Sequence, residues 1–204
     1  MKYGPIIFLG VFFTFATAWF ALIYIPYVQI GFIEPVKKKT GEQYPVPLEG
    51  EAAAGEMVYA RNGCLYCHSQ QARRKGFGAD FERGWGPKRG NQAPDYIYDR
   101  RVMLGSMRTG PDLATIGKRQ SDAMWHHLHL YDPQMMSPGS IMSPYPYLYR
   151  TQKIEGEPSE DALDFAKFQK EEYGPPEGYE IVPTDDARAL VAYLLSLKRD
   201  GKLK

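Results

Sequence analysis

Between Lys2 and Glu34 the chain carries no charged side chain, and the heart of that gap reads PIIFLGVFFTFATAWFALIYIPY, from Pro5 to Tyr27. At about 1.5 Å per residue, Pro5 to Ile25 makes a helix of roughly 30 Å, the thickness of a hydrocarbon core. The apolar run is longer than the usual core of a cleavable signal peptide, about 7 to 15 residues, and no small-x-small cleavage site follows it. One uncleaved transmembrane anchor over residues 1–33 is therefore predicted, with Tyr3, Trp19, Tyr24 and Tyr27 near the headgroup levels and Pro26 marking the helix exit.

Polarity returns abruptly after the anchor. Residues 34–50, EPVKKKTGEQYPVPLEG, are rich in Pro, Gly and charge, as in a tether that lifts a domain off a membrane. From residue 51 to 204 the pattern is that of a soluble domain. Helix formers between Glu51 and Cys64, with Ala54, Met57, Val58 and Arg61 along one stripe, predict a short helix. The Gly- and Pro-rich stretch 76–104 reads as loop.

SDAMWHHLHL, residues 121–130, reads as a helix capped by Ser121 and ended by Pro133. Pro138, Pro144 and Pro146 exclude helix and central strand from Met136 to Tyr149. Residues 152–181 read as a solvated surface insertion with one short helix around SEDALDFAKFQKEEY. The last element is a helix over DDARALVAYLLSLKR, capped by Thr184, with acids in its first turn and Lys198 and Arg199 in its last. Its buried face is Ala187, Leu190, Val191, Leu194, Leu195 and Leu197. The fold class is thus mainly α, with long loops.

Charge changes this picture little. Across 204 residues the formal net charge is +1, and that balance speaks against a nucleic-acid partner. Lys37, Lys38 and Lys39 follow the span while Lys2 precedes it, so the positive-inside rule alone would put the domain in the cytoplasm.

The cysteines overturn that orientation. The chain has two cysteines and four histidines, and one stretch, RNGCLYCHS, holds Cys64, Cys67 and His68. A tetrahedral zinc site needs four ligands, and no second Cys pair or spaced His pair supplies them. A redox dithiol is expected after a strand in a βαβ unit, and no such strand precedes Cys64. C-x-x-C-H suits a third chemistry, in which two thioether bonds hold one covalent haem c and the next imidazole ligates its iron. Haem c attachment is extracytoplasmic in bacteria, so the domain is expected on the periplasmic side of the inner membrane.

For the sixth iron ligand the residues offer Met103, Met107, Met124, Met135, Met136 and Met142 as thioethers, and His126, His127 and His129 as imidazoles. Met142 sits in a Pro- and Tyr-rich loop able to present sulfur rigidly, with Met135 and Met136 as the nearest competitors.

GCLYCH, then RTGPDLATIGKR and a late Met loop, resemble the class I cytochrome c pattern, in which an all-helical fold wraps one haem. That resemblance implies that Pro111 accepts a hydrogen bond from His68 Nδ1 and that the terminal helix crosses the helix before C-x-x-C-H. CLYCHSQ, YDRRVMLGSMRTGPDLATIG, WHHLHLYDP and SIMSPYPYL, in this order behind one anchor, are similar to the monohaem subunit II of cbb3-type cytochrome c oxidases.

The subunit II resemblance implies a respiratory electron-transfer subunit with a His68/Met142 haem c and no catalytic centre of its own. Its electrons would come from a c-type cytochrome donor, the multihaem subunit of the complex, and pass to a catalytic haem/copper subunit that reduces oxygen. In the family's axial segment a Pro directly follows the Met; here Ser143 intervenes before Pro144. His126 and His129 match the family's pattern, whereas His127 is particular to this chain.

Arg108, just before the Thr-Gly-Pro turn, is the expected partner of a haem propionate, because a planar guanidinium binds carboxylate bidentately. Trp125, Tyr145 and Tyr147 are expected at the haem edge or in the core. Two other readings compete: the cytochrome subunit of nitric oxide reductase, which the RTGPDL and MSPYPYL blocks fit less well, and a membrane-anchored haem sensor, for which no signalling domain follows.

Overall fold

The structure, a computed structural model, describes residues 3–37, 41–86, 89–166, 173–201 and 203. Lys38 and Lys39 of the linker lie outside the described residues. It is mainly helical, with one long N-terminal apolar helix and little strand.

Helix α1 (Gly4–Ile30) has 27 residues and a mean hydropathy of 2.3, long and apolar enough to cross a membrane. At 1.5 Å per residue it reaches about 40 Å. Pro26 does not end it. The turn Phe20–Tyr24 widens to π geometry, with the Ile25 amide bonded to Phe20 O. Proline lacks an N–H and crowds the carbonyl four residues back, and the wide turn before it absorbs both defects without breaking the rod.

The linker is less free than a tether. β1 (Val36–Lys37) pairs antiparallel with β2 (Gln43–Tyr44). The Tyr44 hydroxyl then donates to Asp95 Oδ1 at 2.5 Å, and its ring lies against Gly201 near the end of the described chain. The second half of the linker is thus docked on the domain.

Helix α2 (Gly50–Arg61) buries Gly55, Val58 and Tyr59, whereas Met57 is 67 % exposed. The expected stripe is therefore rotated. The cause is a close crossing with the terminal helix α6 (Asp185–Ser196): a Cβ on Gly55 would collide with Ala189 O. The Tyr59 and Tyr193 rings meet there at 5.3 Å. Thr184 caps α6 through the Ala187 amide, at 3.3 Å. The helix ends at Ser196, so Lys198 and Arg199 lie beyond its last turn; Arg199 turns inward and pairs with Asp99 at 2.8 Å.

Three short helices follow the irregular middle of the chain: α3 (Ile116–Arg119), α4 (Ala123–Tyr131) and α5 (Pro133–Met136). Asp122 caps α4, not Ser121, and Asp132 caps α5, whose first residue is Pro133. Proline lacks only an N–H that the first turn leaves unpaired, so it opens α5 as readily as it closes α4.

β3 (Tyr149–Lys153) and β4 (Tyr179–Pro183) form an antiparallel ribbon with Thr151 opposite Ile181. It closes the segment 152–181, which is more than a surface insertion: Leu163 and Phe165 are buried in the core, and the Leu163 amide bonds Ile181 O at 2.8 Å. Ser159–Ala166 is turn and irregular chain, and residues 167–172 of the expected short helix lie outside the described residues.

Candidate functional site

Helix α2 runs out at Arg61, and Gly63 reverses the chain in the left-handed region (φ 71°), a conformation that favours glycine. A single 3₁₀ turn over Cys64–Tyr66 follows, and the His68 amide bonds Cys64 O at 2.9 Å. That turn sets both cysteines and the imidazole at the rim of one cavity of about 770 Å³. Cys67 is exposed and Cys64 half-buried, where burial pushes its thiol up to about 11.

The segment 109–113 braces His68 from behind. The Gly110 amide donates to Cys67 O at 3.0 Å, and the Leu113 amide to Ser69 O at 2.8 Å. Gly110 lies so close to the imidazole that a Cβ there would run into the ring. His68 Nδ1 lies 2.7 Å from Pro111 O. A carbonyl only accepts, so Nδ1 carries the proton and the Nε2 lone pair is left free to bind a metal. Burial holds the imidazolium form down, while the Pro111 bond and Asp112 act in the opposite direction.

Beneath this turn Asp112, fully buried, takes the Ser69 hydroxyl at 2.6 Å and the amides of Gln71 and Ala114 at 2.7 and 2.9 Å. Burial raises its pKa, and those three donors pull against the rise.

The loop after α5 supplies another part of the lining. Met142 is the one methionine among the described residues that line the cavity. Its amide is held by Ser140 Oγ at 3.2 Å. Met103 and Met135 are buried in the core, Met136 packs against it, Met107 is exposed, and the Met124 sulfur accepts from the Asp164 amide at 3.5 Å.

From α4, Trp125, His126 and His129 face the cavity. His126 Nε2 donates to Gln120 O at 2.9 Å, and His129 stacks on Trp125 at 4.7 Å with the planes 8° apart. His127 points away, to the Tyr149 hydroxyl at 3.2 Å. Burial drives both His127 and His129 down to about 4, so both are neutral at physiological pH.

The structure does not bring Arg108 to the cavity. Its guanidinium pairs with Asp80, donates to Gln71 O at 2.6 Å and stands 3.6 Å from Asp112. Two buried carboxylates have drawn it under the turn. Sequence reasoning missed Arg119, which does line the cavity, at the end of α3. Its place in GKRQ, directly after the Thr-Gly-Pro block, was the available signal. Tyr145 lines the same cavity, while Tyr147 bonds Asn62 Oδ1 at 2.7 Å outside it.

These residues fit a haem. The cavity pairs an apolar interior (Leu113, Ile116, Leu130, Leu194) with two thiols and a tautomer-fixed imidazole at its rim. It also holds buried polar atoms without protein partners, Arg119 Nε and His129 Nδ1.

No curated protein sequence matches the chain. A family model described as cytochrome c oxidase, mono-heme subunit/FixO matches residues 5–181, from the first turn of α1 to the middle of β4. Matched over so much of its length, from the apolar helix through all of the described cavity lining but Leu194, the chain belongs to the family of mono-haem subunits of cytochrome c oxidase.

Proposed function

We propose that this subunit is an electron relay: one haem c, attached through Cys64 and Cys67 and ligated by His68 and Met142, on the periplasmic side of the bacterial inner membrane. Electrons would arrive from a c-type cytochrome, the multihaem subunit of the oxidase, and leave for the catalytic haem/copper subunit that reduces oxygen. The observation that carries this reading is the convergence of Cys64, Cys67, His68 and Met142 on one cavity. A haem held by imidazole and thioether exchanges single electrons, without an open position for oxygen, at a higher potential than one held by two imidazoles.

The residues divide the remaining tasks. The Pro111 carbonyl engages Nδ1 of His68, which would leave Nε2 to hold the iron and would strengthen it as a ligand. Leu113, Ile116, Leu130 and Leu194 give the cavity an apolar lining that would shield the haem from water. Helix α1 keeps the domain at the membrane beside its partner subunits.

The test is intact-mass and peptide analysis of the full chain from a host that matures c-type cytochromes. One haem should be found on the peptide holding Cys64 and Cys67. Free thiols in the purified protein would reject the reading. Met142→Ala should abolish the long-wavelength thioether charge-transfer band of the oxidised form; a retained band would transfer the sixth position to another residue.

A further inference from the structure

The segment ARRKGFGADFERGWGPKR, residues 72–89, gathers six basic side chains against two acidic ones in a chain whose formal net charge is +1. Its mouth is drawn closed: the Asn91 amide donates to Ala72 O at 2.9 Å, and Asn91 Oδ1 accepts from the Ala72 amide at 2.6 Å. Inside the loop Asp80 is committed to Arg108 and to the Arg73 amide, whereas Arg73, Arg74 and Lys75 stay exposed. Phe77 stands at the tip and is 74 % exposed. Gly76 and Gly78 flank it at φ 87° and 141°, a region that favours glycine, and its amide bonds Arg74 O at 3.0 Å. The fold therefore holds an apolar ring out in solvent beside adjacent cations.

The base of this loop is moored where the chain leaves α1. Arg89 donates to Asp95 Oδ2 and to Gly201 O, both at 2.7 Å, and Tyr44 of the linker shares the same carboxylate. Tyr44 pairs across β1–β2 with Val36, six residues beyond the end of α1 at Ile30. Six residues reach at most about 20 Å, so the span and the loop cannot part far. Lys37, exposed on β1, adds a cation to the same stretch.

We infer that this loop is a second membrane contact: Phe77 enters the interface of the leaflet from which α1 emerges, and Arg74 and Lys75 hold anionic phospholipid headgroups. The domain then lies against the bilayer and does not swing on its linker. The inference rests on α1 lying in a membrane and is independent of the haem. An apolar side chain beside basic ones binds such a surface through acyl contact and headgroup attraction together. An acidic protein surface would pair with the charges but would need a fitted pocket for the ring, whereas the acyl boundary accepts it anywhere.

The experiment uses the full-length chain with its partner subunits in cell membranes, carrying photoreactive benzoylphenylalanine in place of Phe77. Alkaline carbonate washing comes first. A chain that washes off would reject the anchor and this contact with it. Irradiation should then add the mass of one phospholipid to the peptide that holds position 77. In a retained chain, attachment to another oxidase subunit, or no adduct, overturns the lipid contact and leaves the anchor standing. Arg74→Gln with Lys75→Gln should cut the lipid adduct several-fold, and Arg74→Lys with Lys75→Arg should keep it; an adduct indifferent to charge overturns the headgroup assignment. Hydrogen exchange of the unmodified chain is read as well, in nanodiscs of phosphatidylcholine with and without phosphatidylglycerol. Amides of residues 73–84 should exchange more slowly in the anionic discs. If the photoreactive chain does not accumulate, hydrogen exchange decides alone, and equal rates in the two discs overturn the inference.

Discussion

The two walls of the cavity are built on opposite plans. Behind His68, residues 64–71 and 109–114 are laced together across some forty positions of sequence by the Gly110, Leu113 and Gln71 amides, the Ser69 hydroxyl and the His68 ring. In the other wall, the loop that carries Met142 is held by short-range bonds, Ser140 to Ser137 and Met142 to Ser140 Oγ; among the described residues its backbone reaches another element at Tyr145, bonding Leu130 O at 2.9 Å. Ile141 beside the methionine is 80 % exposed. One wall is part of the core and the other lies over it. Damage to the first should therefore unfold the domain, while damage to the second should disturb ligation alone.

The strongest attempt to break that contrast is Asp112→Ala. It leaves the Ser69 hydroxyl and the amides of Gln71 and Ala114 without their buried acceptor. Unmet buried donors cost about 1–3 kcal/mol each and do not add fully, so a loss of about 3 kcal/mol is expected. At about 2–4 °C per kcal/mol for a domain of this size, thermal unfolding should move down by roughly 6–12 °C. A shift under about 2 °C would mean that the wall behind His68 is not held by its carboxylate.

Gly110→Ala strikes the same wall at one contact. The added methyl would enter the space of the His68 ring and force the imidazole away from Pro111 O. Overpacking of this kind costs about 1–3 kcal/mol. With the ligation proposed above, its signature is spectroscopic as well: a mixture of spin states in the oxidised protein where the parent is expected to show one. An unchanged spectrum would show that the ring has room to spare.

The same contrast explains what could be read from the residues in order. The long apolar helix was legible because a long gap in charge is a one-dimensional signal, and Cys64, Cys67 and His68 could be singled out because the chemistry proposed for them is confined to adjacent positions. The terminal helix was legible from its cap and its apolar face, although Arg199 was misplaced because a buried Asp99, far back in the irregular loop, draws it inward. Met142 became a candidate through its Pro- and Tyr-rich loop and Pro111 through the family resemblance, since no spacing rule joins either to His68.

Arg108 and Arg119 could not be told apart in this way. Which of them faces the cavity depends on where Asp80 and Asp112 come to rest, and that is a property of the folded loop. The β3–β4 ribbon was hidden for a similar reason, because Leu163 and Phe165 are isolated apolar positions in a polar stretch and only the closed ribbon brings them inside.

The smallest expected effect tests the comparison from the loop side. Ser140→Ala removes the hydroxyl that accepts from the Met142 amide at 3.2 Å, a bond at the long edge of good geometry in a half-buried place. Solvent can take over much of its role, so stability should fall by less than about 1 kcal/mol. What changes is the time the loop spends with its sulfur in place. The iron of the reduced protein should then become more accessible to carbon monoxide, with binding faster than in the parent while thermal unfolding hardly moves. A large loss of stability with unaltered carbon monoxide binding would reverse the assignment of roles, making the Met142 loop part of the structural core and leaving ligation to be controlled from the His68 side.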